Sequence, residues 1–399
     1  MTKRQQEDYF LAFKAHTILK HLIFDRYLKA WSGILLRKWE RVWIVDAFAG
    51  TGGDNEGRDG SPVIAAKIAV AVQRRLGSGK QVRVVAIEKD LDRFETLVGN
   101  MARYDADRGG ENPVAILYHA TLADVIDTLL TDVAKEPAFF FLDPFGVDGL
   151  RRDVVAKILA RPHAEVLVLF SDESAVRLLG VIAADVPSVE AEVSKVRARP
   201  SLFPEFDSED EARRKAEVEA SIHALEYTKP AAERILLEAF GTDAAQQELS
   251  RMPISRRPRR AVEMYIDLLR ACGAGAVIPF SVRDRGNRHA YYLLHASKAG
   301  AAVKAMKEAL QAAINASALP ENAKESMILH ITKEVAPIVE VVGEHFAGRT
   351  VRWQGSADTV REFALRDTDY FPHMADALKT ALRGYVTLER PLTFTFPGA

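Results

Sequence analysis

The sequence predicts a doubly wound α/β fold, with helices on both faces of a mostly parallel sheet. Short, very apolar segments alternate with amphipathic helical segments through the first half of the chain. Three of these apolar segments run straight into an acidic residue. Two later strand-like segments, 277–282 and 290–295, are joined by a Gly-Asn turn of the kind found in β-hairpins. The sheet is therefore expected to be parallel except for a terminal hairpin.

The elements follow from hydrophobic periodicity. A helical region from about Tyr9 to Trp39 repeats apolar residues every three or four positions, so one face should pack on the sheet. Ser61 is expected to cap the next helix, with Pro62 at its first position. Strands are predicted at 42–45, 82–87, 114–118, 139–142 and 166–170, and helices at 62–76, 91–101, 122–133 and 152–160.

The rest of the chain divides differently. A polar, charged segment at about 171–260 is interpreted as a helical insertion in a domain that spans 1–318 and closes with a helix near 299–316. Residues 319–399 predict a separate small unit of three helices and a hairpin, which is typical of a winged helix.

Composition limits the classes of function. The chain has 399 residues, 48% hydrophobic and 27% charged, which is enough for a sizeable core. Because the net charge is −1, nucleic acid would have to bind a local basic patch. The single Cys272 excludes a disulfide framework, and the scattered histidines lead us to predict no metal. A polar first decade and the lack of a long apolar run predict a cytoplasmic protein that does not enter a membrane.

The segment Val42–Gly53 (VWIVDAFAGTGG) is the centre of the functional hypothesis. Its glycines, among them Gly50 and Gly52, allow positive φ and close approach of a ligand. Asp46, at the end of the strand, is placed to accept a hydrogen bond from an ammonium or a ribose hydroxyl. Glu88, at the end of the second strand, is placed to take ribose hydroxyls. The alternatives are a turn without a ligand and a role for Glu88 as a helix cap.

A third strand end carries Asp143-Pro144-Phe145-Gly146. The carboxylate of Asp143 and the carbonyl of Pro144 are suited to accept the N–H bonds of an amine, and Phe145 could stack on a planar ring. The alternative is that Asp143 caps the next helix and Phe145 lies in the core. Because the ends of parallel strands meet at one edge, the three strand-end acids are expected to share one groove.

These motifs resemble the three-Cys-motif partner protein family, which is similar to the Class I S-adenosylmethionine-dependent methyltransferases with their Rossmann-like sheet. The matching segments are Lys20-His21, Tyr27-Leu28, Trp31, 46–52, Gly60-Ser61-Pro62, 143–146 and Tyr291-Tyr292-Leu293. The resemblance implies S-adenosylmethionine as the cofactor and a partner protein with a three-cysteine motif. The implied cofactor-binding residues are Lys20, Asp46, Phe48, Gly50, Gly52 and Glu88, and the implied catalytic residues are Asp143, Pro144, Phe145 and Gly146.

Two positions need comment. Related methyltransferases carry an acid after the third strand for the adenine amino group, where this chain has Ala120-Thr121-Leu122 with Asp124 slightly later. Lys20 is expected to reach the carboxylate of the cofactor, as basic residues before the first strand do in related enzymes; the alternative is a solvated lysine.

The acceptor is expected to be an exocyclic amine of a nucleic-acid base. Asp-Pro-Phe-Gly is similar to the motif of tRNA guanine-N2 dimethyltransferases, which favours RNA over DNA. The phosphate backbone would contact a basic run, or that run would pair with the acidic stretch 205–211. The run consists of Arg251, Arg256, Arg257, Arg259 and Arg260. The winged helix would contact nucleic acid or dock a protein.

Two other functions stay open. The protein could be a non-catalytic nucleotide-binding adaptor that docks a cysteine-rich enzyme of the iron–sulfur or radical type. It could also be a nicotinamide-dependent oxidoreductase, but the late helix start and the Asp-Pro-Phe-Gly motif argue against this.

Overall fold

The computed structural model covers most of the chain. The residues it describes are 3–53, 58–77, 79–109, 113–183, 228–283, 289–317, 336–356, 358–368, 372–387 and 392–397. The acidic stretch 205–211 and the Gly-Asn turn near 286 lie outside these ranges, as does most of the middle of the predicted insertion.

Seven strands form one sheet in the spatial order β3-β2-β1-β4-β5-β7-β6. They are β1 (Arg41–Asp46), β2 (Gln81–Glu88), β3 (Ala115–His119), β4 (Ala138–Leu142), β5 (Ala164–Phe170), β6 (Ala276–Arg283) and β7 (His289–Ser297). The first five are parallel, whereas β7 pairs antiparallel with both β5 and β6. The predicted doubly wound sheet, parallel except for a terminal hairpin, is thereby confirmed.

Helices cover both faces of this sheet. They are α1 (Lys3–Leu35), α2 (Ser61–Leu76), α3 (Leu91–Asp107), α4 (Leu122–Val133), α5 (Arg152–Ala160), α6 (Asp172–Ala183), α7 (Lys229–Phe240), α8 (Ala244–Arg251), α9 (Arg257–Ala271) and α10 (Gly300–Ala316). α1, α2 and α10 contribute to one apolar core, and α4 to α9 contribute to the other.

Side chains of a strand alternate between the two faces. Phe139 and Phe141 of β4 belong to the core under α1, and Phe140 and Leu142 belong to the opposite core. The ring of Phe24 on α1 packs 4.8 Å from that of Phe141, centroid to centroid. The predicted packing of α1 on the sheet is therefore confirmed.

A buried polar group also holds α1 on the sheet. Glu165, near the start of β5, accepts hydrogen bonds from the hydroxyl of Tyr27 and from the indole of Trp31, the latter at 3.2 Å. His295 Nε2 of β7 lies 3.1 Å from the same carboxylate. Burial, followed by the charge of Glu165, raises the pKa of the Tyr27 phenol. These contacts join α1, β5 and β7 at the amino edge of the sheet.

The C-terminal elements share the core under α1. They are α11 (Ala336–His345), β8 (Thr350–Arg352), α12 (Val360–Asp367), α13 (Ala375–Ala381), β9 (Val386–Thr387) and β10 (Thr393–Thr395). β10 lies antiparallel between β8 and β9. The apolar core runs from α10 into this region without interruption. The winged helix stays a prediction.

Within the described residues, no helix combines the length and apolar character needed to span a membrane.

Candidate active site at the carboxyl edge of the sheet

The three strand-end acids lie at the carboxyl edge of adjacent strands. β1 lies between β2 and β4, so Asp46 stands between Glu88 and Asp143. Counting back from each acid by an even number of residues reaches strand positions whose side chains belong to the core under α1. Because side chains alternate along a strand, all three are directed toward the face that α1 and α2 cover.

The glycine turn after β1 is tied to the end of β2. Gly50 and Gly52 adopt positive φ values of 59° and 76°, which favour glycine. The amide of Gly50 donates to Glu88 Oε2 at 2.9 Å, and the amide of Asp90 donates to Oε1 at 2.8 Å. The cap of α3 is Asp90, which accepts from the amide of Arg93, so the alternative role of Glu88 as that cap is wrong. A Cβ on Gly50 would meet no atom of the described residues within 4 Å, so among these residues there is open space at Gly50.

Gly60 explains the Gly-Ser-Pro segment. A Cβ at Gly60 would lie 2.7 Å from the carbonyl carbon of Gly52, and the amide of Gly60 donates to that carbonyl at 2.9 Å. Gly60 occupies the N-cap of α2 without a side-chain cap, so the prediction that Ser61 caps this helix was wrong. Ser61 is the first helical residue and is buried, and its side chain hydrogen-bonds Asp46, which lowers the pKa of that acid.

Asp46 is a buried acid with unused hydrogen-bonding capacity. Its Oδ1 accepts from the amide of Phe48 at 3.3 Å, whereas Oδ2 has no partner among the described residues. The pKa of Asp46 is raised to about 7: burial, which is the largest cause, and the charge of Asp143 raise it, and Ser61, the Phe48 amide and Lys20 offset part of this increase. Buried polar atoms are rarely left unsatisfied, so Oδ2 is a candidate acceptor for a ligand donor.

Asp143 forms an ion pair with Lys20 of α1. The two side chains are 14% and 17% exposed, with Lys20 at the lower value. Burial and then the charge of Asp143 raise the pKa of Tyr291, at the start of β7. Tyr291 therefore lies close enough to Asp143 to be affected by its charge. Sequence reasoning assigned Lys20 to the cofactor and gave Tyr291 no role. The Lys20–Asp143 pair joins residues 123 positions apart, which no local pattern reveals.

The loop after β4 presents an aromatic ring to solvent. Phe145 is 77% exposed, and the guanidinium carbon of Arg93 lies 4.7 Å from its ring centroid. α5 begins at Arg152 with Arg151 as its N-cap. The alternative that Asp143 caps this helix and Phe145 lies in the core is therefore wrong. Gly146 has a φ of 81° and packs against Ser174, where a Cβ would lie 3.1 Å away.

The loops after β2 and β4 meet across the end of β1. Besides the contact of Arg93 with Phe145, Lys89 Nζ lies 3.4 Å from Asp148 Oδ2. Asp124 takes no part in this region. It forms a capping box with Thr121 at the start of α4, and hydrogen bonds from Thr121 lower its pKa.

A cavity of about 410 Å³ lies on the other side of the glycine turn, between α2 and α3. Its lining includes Gly52, Lys67, Asn100 and Arg103 but neither Asp46 nor Asp143. Among the described residues, no group of three or more His, Cys, Asp or Glu side chains could hold a metal ion.

The basic run lies between α8 and the first turn of α9. Three of its arginines have intramolecular partners: Arg257 donates to the carbonyls of Met252 and Ser250, Arg259 pairs with Glu263, and Arg260 pairs with Glu248. The side chains of the exposed Arg251 and Arg256 have no hydrogen bond or ion pair within the described residues. The segment after α9 packs at Gly273 against the end of α5, at the amino edge. Because α9 is about 22 Å long, its first turn extends toward the carboxyl edge.

Comparisons with known proteins give a likeness of fold. No family model and no curated protein matches the chain. Protein LPL1258 of Legionella pneumophila is 14% identical, with 39% of this chain and 67% of that chain covered and a TM-score of 0.25. The plantazolicin methyltransferase BpumL, solved with SAH, is 11% identical, with coverages of 74% and 89% and a TM-score of 0.27. A Galdieria sulphuraria protein assigned as a sarcosine dimethylglycine methyltransferase is 10% identical, with coverages of 69% and 85% and a TM-score of 0.23. At these values the likenesses assign no residue a role.

Proposed function

We propose that this protein is an S-adenosylmethionine-dependent methyltransferase. The observation that carries the proposal is Oδ2 of buried Asp46, which has no partner in the described part of the chain, beside a glycine turn with open space at Gly50. Asp46 would accept the ammonium of the cofactor, and the remaining lone pairs of Glu88 would accept its ribose hydroxyls. Lys20 would meet the carboxylate, and Phe48, Gly50 and Gly52 would line the turn. When bound, the cofactor supplies a methyl group activated by its sulfonium.

The acceptor is an exocyclic amine of a nucleic-acid base, with RNA favoured over DNA. Asp143 would accept one N–H of the amine, turn the nitrogen lone pair toward the methyl group, and take the proton that the methylated nitrogen loses. The carbonyl of Pro144 would accept the other N–H. The exposed ring of Phe145 supports this acceptor class, because most of its surface is accessible for stacking on a flat base, and Gly146 lets the loop turn against Ser174.

The same proposal includes two surfaces that would contact nucleic acid and one partner protein. The basic run would contact the phosphate backbone, with Arg251 and Arg256 the members available for it. The C-terminal winged helix would contact the same nucleic acid. A protein with a three-cysteine motif would assist the reaction.

Cofactor binding is the first test. Calorimetry with S-adenosylhomocysteine should give an affinity of about micromolar for the wild type, and Gly50→Val should abolish it by filling the ligand space. Gly77→Val is the matched control, because Gly77 also has a positive φ, of 92°, and open space around it, but lies at the far end of α2. Equal loss of binding in both variants, or no heat with the wild type, would remove the basis of the proposal.

The acceptor is tested separately. Mass spectrometry of nucleosides from cells with and without this gene should show one methylated base that disappears with the gene. Cofactor binding without labelled methyl transfer into RNA or DNA would favour the adaptor function instead.

A further inference from the structure

One lysine faces two acids at the carboxyl edge. Lys20 pairs with Asp143, while Asp46 Oδ2 has no partner in the described part of the chain. All three groups are close enough for their charges to act on one another. These three described residues therefore provide one cation for two carboxylates.

The amino-acid end of the proposed cofactor carries one ammonium and one carboxylate. Asp46 would accept a hydrogen bond from this ammonium through Oδ2, and the ligand carboxylate would then lie near the same cluster. The cation there, Lys20, is already engaged by Asp143. The cofactor carboxylate and Asp143 would thus compete for the ammonium of Lys20.

We propose that Lys20 leaves Asp143 for the cofactor carboxylate when the cofactor binds, and that this exchange frees Asp143 to accept the acceptor amine. This inference rests on the proposed function. Lys20 is a positioning residue here, because it acts on the acceptor through Asp143. Before the exchange the lysine is bound to Oδ2 of Asp143 and offsets its charge, so the carboxylate attracts a second N–H less strongly. Productive acceptor binding then follows cofactor binding.

The structure allows such an exchange without movement of the backbone. The neighbours of Lys20 along α1, Ile23, Phe24 and Tyr27, are fully buried, and Tyr27 is tied to Glu165. This fixes the position of the Lys20 Cα. The lysine side chain has a flexible four-carbon stem, and its pair with Asp143 retains some solvent contact. The Lys20 ammonium can therefore move from the carboxylate of Asp143 to that of the cofactor while α1 stays in place.

A pair of ligands isolates this effect. S-adenosylhomocysteine has the amino-acid end, and 5′-methylthioadenosine lacks it. Both would be titrated by calorimetry into the wild type, Asp143→Asn, Lys20→Met and the double variant, each checked for folding by thermal unfolding. Asp143→Asn should tighten S-adenosylhomocysteine about fivefold, since Lys20 no longer leaves a charged partner, and Lys20→Met should weaken it about tenfold. The affinity for 5′-methylthioadenosine should stay the same in both single variants.

The double variant separates exchange from plain charge repulsion. If Lys20 is exchanged, Asp143→Asn should have no effect on S-adenosylhomocysteine once Lys20 is methionine. Fivefold tightening that persists in the Lys20→Met background would show repulsion and overturn the proposal, as would unchanged or weaker binding by Asp143→Asn alone. A wild type that binds neither ligand would overturn the methyltransferase function itself.

Discussion

Two polar clusters with acidic side chains lie under α1 on one face of the sheet, at its opposite edges. At the amino edge, Glu165 accepts hydrogen bonds from Tyr27 and Trp31, and His295 Nε2 lies 3.1 Å from the same carboxylate. At the carboxyl edge, Asp46 keeps an oxygen without a partner in the described residues, and Asp143 pairs with Lys20. A fully partnered acid holds the fold together, whereas a partly partnered one is available to a ligand. The difference separates a structural cluster from a functional site.

The largest effect is expected from Asp143→Ala. Removing a positioned group that takes a proton in the transition state should lower the rate of methyl transfer by about 100-fold or more, while S-adenosylhomocysteine still binds. Labelled methyl incorporation into unmethylated RNA would measure the rate. Asp153→Ala is the control, since this acid lies on α5 and pairs with exposed Arg151. Activity that survives in Asp143→Ala would show that the partly partnered acid is not at the reacting centre.

Glu165→Ala tests the other side of the comparison. The change leaves the buried hydroxyl of Tyr27 and indole N–H of Trp31 without their acceptor and removes the contact with His295, so the free energy of unfolding should fall by about 3 kcal/mol or more. Urea denaturation without ligand would measure it. Glu165→Gln, which keeps an acceptor and the volume, should cost less. A loss below about 1 kcal/mol would mean that the cluster does not hold α1.

The pH dependence of stability tests Asp46, one of the acids at the carboxyl edge. Its pKa in the folded protein is about 7, above the ordinary 3.8, because of burial and then the charge of Asp143. The folded state thus binds the proton more tightly than the unfolded state. Stability should fall as pH rises from about 4 to 7 and level off above 7.

Asp46→Asn should remove this dependence. The difference in unfolding free energy between wild type and variant should change by about 2 kcal/mol between pH 5 and pH 7, in favour of the variant. Urea unfolding of both proteins at pH 5, 6, 7 and 8 would measure it. Parallel curves would mean that Asp46 is not the group that titrates.

The sequence was a good guide to the fold because each strand and helix is a local pattern. The apolar run 139–142 predicted β4 within one residue, since a strand buried on both faces needs no polar position. Gly50 and Gly52 were found because only glycine takes their backbone conformation freely. Ser61 was misplaced by one position because Gly60, through its contact with Gly52, takes the cap instead.

Partnering between distant residues was not predictable. The Lys20–Asp143 pair depends on how α1 crosses the sheet, and no local pattern records that crossing. The basic run appeared uniform in sequence, yet Glu248 and Glu263 occupy two of its members. Tyr291 was only part of a matching motif until β7 brought it beside Asp143.

The basic run provides the smallest predicted effect and applies the same comparison to cations. Arg251 and Arg256 are free within the described residues, whereas Arg259 and Arg260 pair with glutamates. If RNA contacts this run, Arg251→Ala with Arg256→Ala should lower the slope of log affinity against log salt by about 1.4, because each phosphate contact on a single strand contributes about 0.7.

The paired arginines supply the matched control. Arg259→Ala with Arg260→Ala removes the same formal charge but leaves the glutamates unpaired, and the slope should change less because those guanidiniums were already engaged. Fluorescence polarisation with a labelled single-stranded RNA between about 50 and 200 mM salt would measure both slopes. Equal slopes for the two double variants would mean that intramolecular partnering does not decide which arginines bind, and an unchanged slope in both would place the phosphate contacts elsewhere on the protein.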